Sequence, residues 1–568
     1  MREDPPAQGG STGALTQRNR MSYQAETRRR RTFAIISHPD AGKTTLTEKL
    51  LLFSGAIQIA GSVKARKATR HATSDWMEIE KQRGISVASS VMQMVYRDHV
   101  INLLDTPGHK DFSEDTYRVL TAVDAALMVI DAANGVEAQT RRLIEVCRQR
   151  NTPIITFVNK MDREVREPLE LLDEIERELG MSCVPLTWPV GQGKHFGGIV
   201  NLRTQTMTVF QAGQDRRPQD FDAVPLSNVE ALRKRFGHDF EQAEANMELV
   251  SGASPAFDRD EFLAGKQTPV FFGSGVNNFG VMEVLDALVD LAPPPQPRTS
   301  SLIPAKAGAG AEPIIQRVDP EGDAFSGVVF KVQANMDPSH RDRIAFVRIC
   351  SGKYTPGMKL KVQRTGKELR PTSVVTFMSQ RREAVEEAFA GDIVGFTTHG
   401  GVQLGDTITD GSVALQFTGL PFFAPELFQT VILRNPLRTK QLQQGLAQLG
   451  EEGAIQVFRP HIGGPMLLGA VGQLQFEVVQ HRLKGEYDAD IRLESCQYVG
   501  ARWITADTPQ ELRAFTDAYP MRMALDAADT LAFLTTSPYD VRLAQERFPK
   551  IHFHPLREHA GLALQAAG

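Results

Sequence analysis

The stretch Ser37-His38-Pro39-Asp40-Ala41-Gly42-Lys43-Thr44-Thr45 decides the fold of the first half of the chain. It follows the apolar run 33–36 and precedes an amphipathic run that begins at Leu46, which predicts a strand, a tight loop and a helix. Gly42-Lys43-Thr44 matches the end of a phosphate-binding loop, where backbone N–H groups and the helix N-terminus receive a polyphosphate. Lys43 can reach the β- and γ-phosphates, and the Thr44 hydroxyl can ligate Mg²⁺. Because Ser37 replaces the usual Gly, the stretch alone also fits an ordinary strand–turn–helix corner.

Length, composition and charge limit the class of protein. The chain has 568 residues, enough for about three or four domains. Its contents of 41% hydrophobic and 23% charged residues are typical of a soluble globular protein. The net charge of −4 gives no global basic excess, so a nucleic-acid partner requires local basic patches.

Cysteine spacing and hydropathy predict a cytoplasmic protein with no membrane partner. The four cysteines lie far apart and form no CxxC pair, which suits a reducing compartment and argues against a zinc site or a disulfide framework: Cys147, Cys183, Cys350 and Cys496. No apolar run approaches the length of a membrane span, and the run 125–130 predicts a buried strand. We also expect a monomer.

Two further motifs follow predicted strands and make the first one specific. Asp105-Thr106-Pro107-Gly108-His109 follows the run 100–104; there a carboxylate can hold Mg²⁺ through a water, and the Gly108 N–H can face a γ-phosphate. Asn159-Lys160-Met161-Asp162 follows the run 154–158. Guanine presents N1–H and N2–H₂ donors, which the Asp162 carboxylate can accept and adenine cannot offer. Such a site selects GTP over ATP by roughly 10⁴ or more.

Other residues of these motifs complete the predicted base site. Asn159 accepts from the purine edge and braces the loop, while the stem of Lys160 covers the base. Gly273-Ser274-Gly275, after the run 269–272, can offer a backbone N–H to guanine O6. Taken singly, Asp162 fits a helix N-cap, His109 a surface histidine and Ser274 a turn residue. The order of the three motifs, each after a predicted strand, favours GTP binding.

These motifs resemble those of the translational GTPases, the class of elongation factors Tu and G. The resemblance rests on DTPGH, NKMD and Arg83-Gly84-Ile85-Ser86. It implies that His109 positions the attacking water and is the catalytic residue, and that Ser86, Thr44 and Asp105 (the last through a water) hold Mg²⁺. Asp40 matches the P-loop aspartate of the family. Pro39 departs from the usual Val or Ile, and Gly275 replaces an Ala.

Three stretches resemble the branch of this family that acts in translation termination. They are 35–45, 74–86 and 469–479. The resemblance implies GTP/GDP and Mg²⁺ as cofactors, and the ribosome, both its RNA and its proteins, as the activating partner. It also implies that GTP-driven switching removes class-I peptide release factors after the peptide is freed. The alternatives are another ribosomal GTPase like elongation factor G, a non-hydrolysing GTP-gated binding module, and a GTPase of small-molecule metabolism.

The predicted fold is multidomain α/β. A disordered N-terminal tail (1–30) precedes a P-loop GTPase domain (31–295) with an insertion at about 181–265. A linker (296–311), an antiparallel β-barrel domain (312–418) and an α+β domain of split βαβ type (419–568) follow. We see no internal repeat. Met21 is the expected initiator, because the residues before it are rich in Gly, Pro, Ser and Gln.

Three basic segments fit either a solvated surface or a contact to RNA. Arg28-Arg29-Arg30-Arg31 fits either a solvated start or an RNA contact. The segments 364–370 and Arg381-Arg382 of the barrel fit either solvated hairpin tips or contacts to ribosomal RNA phosphates.

Overall fold

The first domain is a seven-stranded sheet with helices on both faces. The structure is a computed structural model and describes residues 23–57, 88–209, 223–302, 314–334, 343–378, 381–398 and 401–557. The strand order is β2-β3-β1-β4-β5-β11-β6, with β2 antiparallel to β3 and every other pair parallel. The strands are β1 Arg30–Ser37, β2 Ser90–Tyr96, β3 His99–Asp105, β4 Ala125–Asp131, β5 Ile154–Asn159, β6 Ser182–Pro185 and β11 Gln267–Phe272.

The central strands are apolar along their whole length because both faces of the sheet are covered. All residues of β1, β4 and β5 are buried. The helices follow the strands, and the loops at the carboxyl ends of β1, β3, β5 and β11 come together at one edge. A short helix α1 covers residues 23–28. The other helices of this domain are α2 Lys43–Phe53, α3 Ser113–Ala122, α4 Ala138–Gln149, α5 Pro168–Leu179, α6 Val229–Phe236, α7 His238–Ala253, α8 Arg259–Leu263 and α9 Val281–Asp290.

The predicted insertion at about 181–265 differs in extent from the observed one. β6 lies inside that range, yet it pairs with β11 as the edge strand of the main sheet. A strand of four residues gives too short a pattern to be assigned to one sheet from the sequence. The rest of the range forms α6–α8 and a separate four-stranded sheet of β7 Thr187–Val190, β8 Gly198–Asn201, β9 Thr206–Val209 and β10 Ala223–Pro225.

The second domain is antiparallel and barrel-like, as predicted. Its eight-stranded sheet has the order β18-β17-β23-β14-β15-β22-β19-β20, and the range expected as a linker contributes β12 to a small sheet with β13 and β24. The strands are β12 Arg298–Leu302, β13 Ile314–Val318, β14 Ser326–Ala334, β15 Arg343–Ser351, β16 Lys353–Tyr354, β17 Leu360–Val362, β18 Glu368–Leu369, β19 Val374–Met378, β20 Arg381–Ala384, β21 Ala388–Phe389, β22 Ile393–Thr398, β23 Thr407–Thr409 and β24 Leu415–Phe417.

The C-terminal domain is α+β and contains the same topology twice. Its strands and helices are β25 Phe422–Phe423, β26 Leu427–Leu433, α10 Thr439–Glu451, β27 Gln456–Pro460, β28 Leu467–Ala470, α11 Gln473–Tyr487, β29 Ile491–Ser495, β30 Gly500–Ala506, α12 Pro509–Ala518, β31 Met523–Leu525, β32 Leu531–Thr535, α13 Asp540–Arg547, β33 Ile551–His554 and β34 Leu556–Arg557. The sheet order is β29-β26-β28-β27-β31-β32-β30-β33. Each half is a βαββαβ unit with its first strand between its third and fourth, which confirms the split βαβ prediction and reveals a structural repeat.

Buried ion pairs join the first domain to the barrel. Arg348 of β15 pairs with Asp124 at 2.5 Å, and both side chains are about 1% exposed. Arg30 donates to Asp392 at 3.1 Å. Thr32 donates to the carbonyl of Gly391, where φ is +104° and an added Cβ would strike Arg30. This joint is tightly packed.

The predicted N-terminal tail ends earlier than residue 30. In α1, the Tyr23 hydroxyl donates to the carbonyls of Pro320 and Gly322 at 2.9 Å. Arg30 and Arg31 are buried, and Arg31 donates to the carbonyl of Val289. The basic run is therefore structural in its last two residues. Residues 1–22, including Met21, lie outside the described part of the chain.

None of the helices in the described ranges is long and apolar enough to cross a membrane.

Candidate nucleotide site

The loop between β1 and α2 has the geometry of a phosphate-binding loop. Asp40 and Gly42 adopt positive φ, at 66° and 97°. At Gly42 an added Cβ would collide with the amide of Asn159, so this position requires glycine for both conformation and space. α2 begins at Lys43, and no side chain caps its first N–H groups. The N-terminus of α2 is thus available to an anion.

Lys43 and Asp105 meet at the centre of the site. Their side chains form an ion pair and are 6% and 2% exposed. The second carboxylate oxygen of Asp105, Oδ2, is buried and has no hydrogen-bond partner among the residues that the structure describes. A buried carboxylate oxygen without a partner is costly, and a hydrated Mg²⁺ ion would satisfy it. Thr44, which begins the helix beside Lys43, is half-buried. These oxygen donors fit the predicted metal.

The segment after Asp105 lies against the P-loop. The Thr106 hydroxyl donates to the carbonyl of Ile35 at 2.6 Å, and the Cα of Gly108 faces Pro39, where an added Cβ would lie 3.4 Å from the Pro39 Cα. His109 is about one-third exposed, and its Nδ1 accepts from the Asp111 N–H at 3.2 Å. Because Nδ1 accepts, the proton of the neutral ring lies on Nε2.

Asn159 ties three loops together. Its Nδ2 donates to the carbonyl of Ala41 at 2.8 Å, and its Oδ1 accepts from the Gly275 N–H at 2.9 Å. An added Cβ on Gly275 would also come within 4.0 Å of Thr45. The predicted bracing role of Asn159 therefore has a geometric basis. Its amide is 3% exposed, so these two bonds fix its orientation.

Ser274 positions Asp162. Its hydroxyl donates to the Asp162 Oδ1 at 2.6 Å, and Ser274 is fully buried. Each N–H of residues 273–275 already has a protein acceptor: the carbonyls of Val158 and Phe279 and the Oδ1 of Asn159. The donation from this loop to guanine O6 stays a prediction, and an N–H of residues 273–275 would have to share or exchange its present acceptor to make it. In this structure the Ser274 hydroxyl positions the Asp162 carboxylate.

Two contacts in the site could not be predicted from the motifs. Lys160, at φ 73°, pairs with Asp131 at 2.7 Å. His38 pairs through Nε2 with Glu137 at 2.8 Å, while its buried Nδ1 has no partner within the described part of the chain. Asp131 ends β4, and Glu137 precedes α4. From the sequence, only the position of Asp131 at the carboxyl end of a parallel strand could have indicated that this residue lies in the site.

The predicted metal ligand Ser86 lies outside the described residues. The described segment resumes at residue 88, and Ser89 contacts two other parts of the molecule. Its N–H donates to Asp115 at 2.7 Å, and Lys331 of the barrel donates to its carbonyl and, at 3.2 Å, to its hydroxyl.

Comparisons with known protein families agree with the three domains. The model of the elongation factor Tu GTP binding domain matches residues 28–294, and the model of elongation factor G domain 2 matches residues 324–411. The model of the class II release factor RF3 C-terminal domain matches residues 417–545. A crystal structure from Thermus thermophilus has a TM-score of 0.64 and 24% identity, over 84% of this chain and 69% of that chain, and it supports the fold. Fold and site define a translational GTPase.

Similarity to curated proteins narrows this class. Peptide chain release factor 3 of Nitrosomonas europaea is 66% identical over 551 residues, 96% of this chain and 100% of that protein. The proteins of that name from Bordetella pertussis and Bordetella bronchiseptica are each 66% identical, over 95% of this chain and 99% of theirs. The chain belongs to the peptide chain release factor 3 family, whose members are GTPases of translation termination.

Proposed function

We propose that this chain is a ribosome-stimulated GTPase that removes class-I release factors from the ribosome after peptide release. The observation that carries the proposal is a P-loop, a DTPGH segment and an NKMD loop at one edge of a sheet, in one chain with a C-terminal domain of the release factor 3 type. The alternative resembling elongation factor G is not favoured, because relatives that align along 95–96% of the chain are peptide chain release factors 3.

The proposed reaction is GTP + H₂O → GDP + phosphate. Lys43 and the N–H groups at the start of α2 stabilise the charge that spreads over the γ-phosphoryl group. His109, with its proton on Nε2, donates to the attacking water and orients it. The P-loop stretch 37–45, DTPGH and NKMD contain no arginine that could stabilise this charge in cis. We therefore expect slow intrinsic hydrolysis and a rate gain of roughly 10³–10⁵ from a partner that completes the site.

Thr44, Ser86 and Asp105 are the residues proposed to hold Mg²⁺. When bound, this ion neutralises part of the charge on the phosphate oxygens. The buried, partnerless Oδ2 of Asp105 supports the assignment. Without nucleotide, the Lys43 ammonium provides the only charge compensation that the described residues give this carboxylate. Nucleotide binding then requires Lys43 to turn toward the phosphates.

We propose that two segments of the chain respond to whether GTP or GDP is bound, one on each side of the γ-phosphate. The segment around Ser86 is followed by Ser89, which the barrel holds through Lys331. The segment after Asp105 leads to His109 and Asp111. GTP would order both segments, and hydrolysis would release them.

One assay tests the function. GTP hydrolysis is measured for the protein alone, with vacant ribosomes, and with ribosomes stalled after peptide release with a class-I factor bound. We expect stimulation by ribosomes and, only with GTP, faster loss of the labelled class-I factor. Hydrolysis that ribosomes leave unchanged would refute the proposal, as would GTP-independent loss of the factor.

A further inference from the structure

The helix α11 of the C-terminal domain begins at a residue that has no capping side chain, and its Gln475 side chain supplies only the reverse bond, accepting from the Gly472 N–H at 3.2 Å. Its N-cap residue is Gly472, with extended backbone at φ −142° and ψ 159°. Helix N-caps are usually Ser, Thr, Asp or Asn, whose oxygen accepts from an N–H of the first turn. Glycine has no such oxygen. The Leu474 N–H of the first turn therefore needs an acceptor from elsewhere, whereas the Gln475 N–H donates to the Gly472 carbonyl at 3.3 Å.

Asp111 of the first domain supplies the missing acceptor. Its Oδ2 accepts from the Leu474 N–H at 2.8 Å, across a separation of 363 residues. The carboxylate is about 6% exposed and lies at the positive end of the α11 dipole. Next to this contact, Phe112 packs against Leu474 and Val478 in a small apolar cluster.

The contact leaves no room for a side chain at residue 472. A Cβ added to Gly472 would collide with the Asp111 carboxyl group. The backbone angles of Gly472 are accessible to alanine, so space and not conformation requires glycine here. Gly485 in the same helix is exposed, and an added Cβ would meet nothing within 4 Å.

The same Asp111 holds the imidazole of His109. The Asp111 N–H donates to His109 Nδ1 at 3.2 Å, and the Asp111 Oδ1 lies 3.4 Å from that nitrogen. Fixing Asp111 thus fixes the orientation of the ring. Asp111 and His109 both belong to the first domain, but α11 of the C-terminal domain holds Asp111 in place. The C-terminal domain therefore influences the geometry of His109.

We propose that Asp111 is a positioning residue for His109 and that the N-terminus of α11 holds it in place. Docking of the C-terminal domain then sets the orientation of the histidine that acts in hydrolysis. The inference rests on the proposed function, because it takes His109 as the residue that orients water.

The test uses the full-length protein with Gly472→Ala and, as a matched control, Gly485→Ala. We expect Gly472→Ala to lower kcat of ribosome-stimulated hydrolysis about fivefold, the factor that corresponds to the loss of one typical N-cap. KM for ribosomes and affinity for GTP should stay within about twofold, because no nucleotide contact changes. Gly485→Ala should match the wild type in all three.

A second measurement does not depend on ribosomes. In histidine-labelled protein, the NMR signal of His109, assigned by its loss in His109→Ala, should shift in Gly472→Ala and stay unchanged in Gly485→Ala. In an Asp111→Ala background, Gly472→Ala should have no further effect on kcat, since the colliding group is gone.

The outcomes separate the two proposals. A wild type that ribosomes do not stimulate refutes the proposed function, whereas the NMR comparison still decides the positioning. Gly472→Ala with wild-type kcat or an unshifted His109 signal overturns the inference. A change confined to KM overturns it as well, and so does an additive effect in the Asp111→Ala background.

Discussion

Replacing Asp162 by Asn should change the base that the site prefers. The carboxylate is proposed to accept from N1–H and N2–H₂ of guanine, and hydrogen bonds to a charged group contribute about 1.5–3 kcal/mol each. Losing both costs about 3–6 kcal/mol, which corresponds to roughly 10²–10⁴ in GTP affinity.

The structure also predicts which way the new amide turns. The Ser274 hydroxyl donates to Asp162 Oδ1, so in Asp162→Asn it should hold the amide oxygen and leave the NH₂ group toward the base. That NH₂ opposes the N–H donors of guanine and matches the O2 carbonyl of xanthine. We therefore expect xanthosine triphosphate to bind more tightly than GTP.

The assay is competition against a fluorescent guanine nucleotide for wild type, Asp162→Asn, Ser274→Ala and the double variant. Ser274→Ala should weaken GTP binding without reversing the preference, because the carboxylate remains. The double variant should lose the reversal, because its amide is free to turn. An Asp162→Asn protein that binds GTP within about threefold of the wild type would show that Asp162 does not contact the base.

Three further substitutions or measurements test other parts of the site and fold. His109→Ala should keep GTP affinity and lose ribosome-stimulated turnover by roughly 10²-fold or more, as expected when the attacking water is no longer positioned; unchanged turnover in a hydrolysis assay would contradict the catalytic assignment. Gly42→Ala should weaken GTP binding at least about tenfold in the same competition assay, because alanine at φ 97° is strained and its Cβ strikes Asn159; an unaltered dissociation constant would contradict the P-loop geometry. Burial raises the pKa of the Cys147 thiol to about 12 and that of Cys350 to about 11, so mass spectrometry after brief alkylation at about pH 8 should find Cys496 modified first, and equal labelling of Cys147 would contradict that burial.

The parts of the fold that sequence could predict are those with local signals. The strands of the first domain are continuous apolar runs, and each motif begins where such a run ends. That rule alone places Lys43, Asp105 and Asp162 at one edge of the sheet. The βαββαβ order of residues 427–495 follows from alternating elements in the same way.

The parts that sequence missed depend on partners far along the chain. Arg30 belongs to the run Arg28–Arg31, whose composition is typical of a solvated segment. In the structure, Asp392 and the ring of Phe389 in the barrel enclose it. Asp111 and Gly472 each have an unremarkable local context, and only their contact explains why one is acidic and the other has no side chain. The repeat in the C-terminal domain was not predicted because two units can share a topology when their patterns of buried residues match, even if the residues themselves differ.

The joint between the first domain and the barrel bears on cooperativity. If the barrel unfolded alone, Asp124 would lose Arg348, and Arg30 would lose Asp392 and keep Glu26. One apolar cluster also runs through both domains, from Ala34 to Ile408, so unfolding of the barrel would expose apolar surface of the first domain to water. We therefore expect the two domains to unfold together, as one cooperative unit at equilibrium.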